Sequence, residues 1–221
     1  MKRVIFVPTS HIAEQSLIAV QHAIEKENPD CVAVELDKNR YYTLKSQFKS
    51  SNMEALKTLG VITFFIYFFM KSIQSWLGAK VGIFPGTEMI SAVDESVKRK
   101  IPVVFIDQDV RATFFKIKNI PKKEKLKLLW FLIKVPVIIP LSKFFKSSKK
   151  IDLRKVPSKE IISEAMQLFE DEFPVFYKIL VTDRNIYMAN NVKKLLERFD
   201  SIVVVIGAGH YVGMKEILSR N

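Results

Sequence analysis

Two histidines of this chain stand in matched surroundings. Val4-Ile5-Phe6-Val7-Pro8-Thr9-Ser10-His11 lies near the start and Val203-Val204-Val205-Ile206-Gly207-Ala208-Gly209-His210 near the end. Each places four apolar residues, three small or turn residues and an imidazole ahead of a helical pattern. The chain has three histidines in all. A strand end that hands a histidine to a helix start, twice, is the arrangement of a site built across one sheet. A helix amino terminus disfavours imidazolium, and the neutral ring is the form that binds a metal or takes a proton. His22 falls mid-helix without an evident partner and is read as a surface or core residue.

Two further strand ends carry acids. Val32-Ala33-Val34 ends in Glu35, and Val103-Val104-Phe105-Ile106 ends in Asp107. Ligands bind beyond the carboxyl ends of strands in open parallel sheets, so all four positions fall on the functional edge. Glu35 lies between Val34 and Leu36, where a bare carboxylate costs several kcal/mol. A metal, Arg40 or Arg184 should therefore meet it. Asp107 has a second reading, shared with Asp109, as a helix cap. Two histidines with one or two carboxylates suit a divalent ion such as zinc or manganese. They suit metal-free general base catalysis equally well, and spacing does not choose between them. Gly207, Gly209 and Gly213 give GxGxxxG, one residue longer than the dinucleotide fingerprint. No strand follows to complete a βαβ unit, so a nucleotide is not expected.

The elements that must carry these residues alternate. Strands are expected at 3–7, 31–36, 102–106 and 202–206. Helices are expected at 14–26, 38–49, 88–100, 109–117, 158–169, 183–199 and 211–219, with Thr182 or Asp183 capping the penultimate one. Short strands, apolar on both faces and separated by helices, predict an α/β fold. Its mainly parallel central sheet, of about four or more strands, would be flanked by helices. Two apolar helical insertions, at about 50–82 and 119–157, interrupt a single domain spanning 1–221. A membrane span needs about 20 predominantly apolar residues. The run at 61–70 is too short, and Lys127, Lys134, Lys143, Pro136 and Pro140 break the second. These helices are expected to form a homodimer interface, with a basic amphipathic surface resting on lipid as the alternative.

A chain of 221 residues that is 48% hydrophobic can build a real core. The net charge of +12 suits nucleic acid, anionic lipid or an acidic substrate, or simply a lysine-coated surface. The lysines concentrate in 116–159, interleaved with apolar residues, and no nucleic-acid motif appears, so nucleic acid is not an expected partner. The single Cys31 excludes an internal disulfide and a cysteine-cluster zinc site, and its apolar context makes it a small buried residue. Met1-Lys2-Arg3 leads straight into a strand too short for a signal-peptide core. A cytoplasmic location is expected, with membrane association through the apolar insertions as the alternative.

Six segments in order resemble the TraB family, also called the TraB/PrgY or pheromone-shutdown family. They are Pro8-Thr9-Ser10-His11 for GTxH; Val32-Ala33-Val34-Glu35-Leu36 with Arg40; Gly86-Thr87-Glu88-Met89 for GxEM; Asp107-Gln108-Asp109 for DRD; Asp183-Arg184-Asn185-Ile186-Tyr187-Met188-Ala189 for ERDxxMA; and Gly207-Ala208-Gly209-His210. The family is similar to the TIKI and GumN proteins and to the EreA/ChaN-like fold. The resemblance implies a metal-dependent hydrolase acting on a peptide, with manganese, zinc or cobalt held by His11, His210 and Glu35 or Glu88. The candidate catalytic residues are then Glu35, Glu88, Arg40, Arg184 and Asp107. One carboxylate would act as base, and Arg40 or Arg184 would steady an oxyanion or clamp a substrate carboxylate. Two other classes fit the same residues: a module that sequesters a peptide without cleaving it, and a metal-free esterase with a histidine base. Pro8, Gln108, Asp183 and Asn185 depart from the family pattern, the last two weakening the carboxylate supply around Arg184, Asp183 by a shorter acid and Asn185 by an amide.

Overall fold

The computed structural model describes residues 2–9, 14–46, 86–138 and 159–220. In chain order the elements are β1 (Arg3–Thr9), α1 (Glu14–Glu27), β2 (Cys31–Val34), α2 (Lys38–Ser46), α3 (Thr87–Lys98), β3 (Val103–Phe105), α4 (Val110–Lys118), α5 (Lys122–Ile138), α6 (Lys159–Glu172), α7 (Pro174–Tyr177), a π-helical turn (Lys178–Thr182), α8 (Asp183–Leu196), β4 (Ser201–Gly207) and α9 (Ala208–Ser219). The first insertion and the 139–157 part of the second lie outside the described residues. Among the described residues no helix is long and apolar enough to cross a membrane.

The sheet is parallel throughout, in the order β1-β4-β2-β3. The last strand of the chain therefore fills the slot between the first two. Arg3 pairs with Ser201 and Thr9 with Gly207, so β1 and β4 run level for their full length. Among the described residues β1 is an edge strand. That is where the missing N–H of Pro8 is tolerated.

Side chains alternate faces along each strand. Val32, Val34, Val203 and Val205 pack with Val20 and Ile24 of α1 and Met89, Ala92 and Val93 of α3. Cys31, Ala33, Ile202, Val204 and Ile206 pack on the other face with Met188, Ala189 and Val192 of α8 and Met214 of α9. A third cluster, Ile117, Ile120, Leu128, Phe173, Phe176 and Ile179, joins α4 and α5 to the segment around α7 and the π turn.

Two local expectations are corrected. Thr182 is already helical, at φ −63 and ψ −51, and makes no side-chain cap. The π turn runs directly into α8, so no helix starts there to be capped. Asp183 instead pairs with Lys116 and Lys178, both at 2.7 Å. The final helix begins at Ala208 rather than 211, which moves His210 inside its first turn.

Candidate functional site

Glu35 is placed by the strand alternation. Cys31 and Ala33 face α8 and α9, and Glu35 continues that face one step past the end of β2. Its own N–H donates to Val205 O at 2.9 Å, extending the ladder. The side chain is 3% exposed. Its Oε2 accepts from Gly207 N at 2.6 Å, tying the end of β2 to the end of β4.

The positive partner expected for Glu35 is Arg184, in the first turn of α8. Its Nη2 donates to Glu35 Oε1 at 2.5 Å and to Asp107 Oδ2 at 2.7 Å. Its Nε donates to Asp107 Oδ1 at 3.1 Å and its Nη1 to Leu180 O at 3.2 Å. The planar fork thus closes on Asp107 in bidentate fashion. The fourth bond ties the guanidinium back to the π turn that precedes it. Burial alone would lower the Arg184 pKa, but Glu35 and then Asp107 outweigh it and hold the guanidinium above its ordinary value.

Asp107 was also read as a helix cap. Asp109 takes that role: its Oδ1 accepts from Arg111 N at 2.8 Å and its Oδ2 from Asn39 Nδ2 at 3.0 Å. Asp107 accepts from Gln108 N at 2.8 Å as well as from Arg184, with Arg40 Nη1 3.6 Å from its Oδ2. Asp37, which the sequence reading passed over, starts α2 by accepting from Asn39 N and Arg40 N at 2.8 and 3.1 Å. That turn sets the course of the Arg40 backbone. Arg40 is about one-third exposed and lines a cavity of about 170 Å³ with Asp107, Val110, Ile117, Leu180 and Arg184.

His210 is 8% exposed. Its Nε2 lies 3.4 Å from Glu35 Oε1, and its Nδ1 is 2.7 Å from Asn185 Oδ1. Asn185 was absent from the expected site. Its signal in the sequence was a polar residue on the stripe of α8 that otherwise buries Met188, Ala189 and Val192.

The described geometry therefore brings Glu35, Asp107, Arg40, Arg184 and His210 into one network. Glu88 is buried in the first turn of α3, entered through Gly86 at φ +92, a conformation glycine supplies without strain. That helix packs on the other face of the sheet, with Met89, Ala92 and Val93 against Val34 and Leu36. His11 lies outside the described residues. Its strand end is placed, because Thr9 pairs with Gly207 and donates from Oγ1 to Ile206 O at 3.2 Å. The backbones leading to the two histidines are thus neighbours. Cys31 is fully buried, and burial, then Asp30, pushes its thiol up to about 11, as expected of an inert core residue.

The donor set fits a divalent ion in part. Ligand bonds of about 2.1 Å at a tetrahedral angle put two donors about 3.4 Å apart, which is the separation of His210 Nε2 and Glu35 Oε1. A donor to Asn185 at Nδ1 leaves Nε2 as the unprotonated nitrogen that a metal requires. Against this, Arg184 already neutralises Glu35. Among the described residues no three His, Cys, Asp or Glu side chains are grouped closely enough to hold a metal ion.

Comparison with known proteins agrees with the motif reading. Uncharacterized protein MJ1365 of Methanocaldococcus jannaschii is 30% identical over 217 residues, covering 97% of this chain and 53% of that protein. TraB domain-containing proteins of Mus musculus and Homo sapiens are 24% and 23% identical over 250 residues, covering 97% of this chain and 62% of each relative. The chain thus spans between about half and three-fifths of the length of these relatives. The family model described as TraB/PrgY/gumN matches residues 2–221, and the chain belongs to that family.

Proposed function

We propose that the chain is a hydrolase acting on a peptide at the carboxyl edge of its sheet, with His210 as the working group. The observation that carries this reading is the close approach of His210 Nε2 to the buried Glu35 carboxylate, beside the strand end that leads to His11. His11, His210 and Glu35 would hold a divalent ion of the manganese, zinc or cobalt kind. Bound there, it would supply Lewis-acid chemistry to a peptide carbonyl.

The chain's own residues do the rest. Arg184 binds both Glu35 and Asp107, so the two buried carboxylates are held in fixed positions. Gly207 N pins Glu35 Oε2, while Oε1 accepts from Arg184 and lies 3.4 Å from the imidazole. Arg40, partly exposed and with its guanidinium 3.6 Å from Asp107, can offer donors to a ligand carboxylate or a developing oxyanion at the mouth of the cavity. One observation favours a second reading, a metal-free histidine base. Glu35 has its charge compensated by Arg184 without any ion, and the same Nε2 lone pair can take a proton.

Incubating the protein with a mixed peptide library, after chelation and with manganese, zinc or cobalt restored, tests these readings by mass spectrometry of new peptide termini. Cleavage that needs metal and is lost in His210→Ala supports the first reading. Cleavage in chelator, also lost in His210→Ala, supports the histidine base. Peptide retained without cleavage would point to sequestration and overturn both.

A further inference from the structure

We infer that Asn185, seated against Gly213, is the positioning residue that fixes His210 as its Nδ1–H tautomer and keeps the Nε2 lone pair turned to Glu35. The inference rests on His210 being the working group of the proposed site, but its test reads the ring itself rather than turnover.

Two features of the sequence acquire a cause this way. Asn185 looked like a lost carboxylate, and Gly213 looked like part of a glycine fingerprint. In the structure they meet where α8 packs on α9. A Cβ built on Gly213 would fall 2.3 Å from Asn185 Nδ2 and 3.3 Å from its Cγ, so the amide occupies the space a side chain would need. The nitrogen end of the amide rests in that space, and the oxygen end points to His210 Nδ1 at 2.7 Å. An amide oxygen only accepts, so the ring nitrogen facing it must donate. Asn185 is 5% exposed and His210 8% exposed, which leaves little water to substitute for the bond.

The bond has a competitor. Glu35 Oε1, 3.4 Å from Nε2, would attract a proton to that nitrogen and consume the lone pair on which either proposed chemistry depends. Asn185 opposes that pull without adding a third carboxylate beside Glu35 and Asp107. An orienting partner on the far ring nitrogen is how ligating and basic imidazoles have their tautomer set.

Long-range proton–nitrogen NMR of the metal-free full chain, at an alkaline pH where the ring is neutral, reads the tautomer directly. The His210 signal is the one that disappears in His210→Gln. The wild type should show Nδ1–H with unprotonated Nε2. Asn185→Ala and Gly213→Ala should both move the ring toward Nε2–H, while Asn185→Asp, which keeps the acceptor, should retain Nδ1–H. Should Gly213→Ala not fold, Asn185→Ala decides alone. An Nε2–H ring in the wild type, or an unchanged ring in Asn185→Ala, overturns the inference.

Discussion

Arg184 Nη2 lies 2.5 Å from Glu35 Oε1, joining the first turn of α8 to the end of β2 across 149 positions of sequence. The same nitrogen reaches Asp107 at the end of β3. One guanidinium therefore ties two strand ends and a helix start into a single buried unit, and Gly207 N adds the end of β4 through Glu35.

Removing that guanidinium should be costly. Arg184→Met takes the hydrogen-bonded cation from Glu35 and leaves Asp107 only the longer contact to Arg40, and the expected loss is about 3–5 kcal/mol in urea unfolding. Arg184→Lys keeps the charge but not the bidentate fork, so its loss should be smaller.

Asp109 should behave as an ordinary cap. Asp109→Ala removes the bond to Arg111 N at the start of α4 and should cost about 0.5–2 kcal/mol. The tautomer of His210 should not change. Asp107→Ala, in contrast, should disturb both stability and ligand binding, because it takes away the bidentate partner of Arg184.

The acid limb of stability should contain a contribution from Asp183. Hydrogen bonds from Lys116 and then Lys178 hold its carboxyl below the usual aspartate range. A depressed folded-state pKa stabilises above the unfolded value and loses that contribution as pH falls through the folded one. Wild type should therefore exceed Asp183→Asn in stability at neutral pH, with the gap closing below about pH 3.9. Thermal unfolding of both proteins across that range would show it, and a constant gap would disprove the assignment.

Cys31 should resist thiol reagents in the native protein. It is fully buried, with its thiol pushed up to about 11, and the thiolate is the reactive form. Modification should appear only with global unfolding in denaturant, and prompt labelling of the native chain would contradict its core placement.

Much of this was legible in the residues because burial leaves local signs. Glu35 between Val34 and Leu36 demanded a cation, and Arg184 was one of the partners it suggested. The parallel α/β sheet followed from short apolar strands between helices. Strand order was not legible: nothing in β4 says that it inserts between β1 and β2, since pairing partners lie about 200 positions apart. The π turn before Arg184 was hidden too: its residues lie between the helices expected at 158–169 and 183–199, and nothing in their types marks a widened turn. The contact of Asn185 with His210 was not legible, since a polar residue on a buried stripe shows that a partner exists but not which one. Glu88 starts a helix that packs on the face of the sheet opposite α8, a placement carried by the crossover rather than by periodicity.

The most direct test of the central claim is anomalous diffraction from crystals of the full chain soaked in manganese. The account predicts one strong peak in contact with His210 Nε2 and Glu35 Oε1, with the His11 imidazole completing the contact, and its loss in His210→Ala. Clear density for both histidine rings, with no peak between them or with the His11 ring turned away from His210, would contradict it.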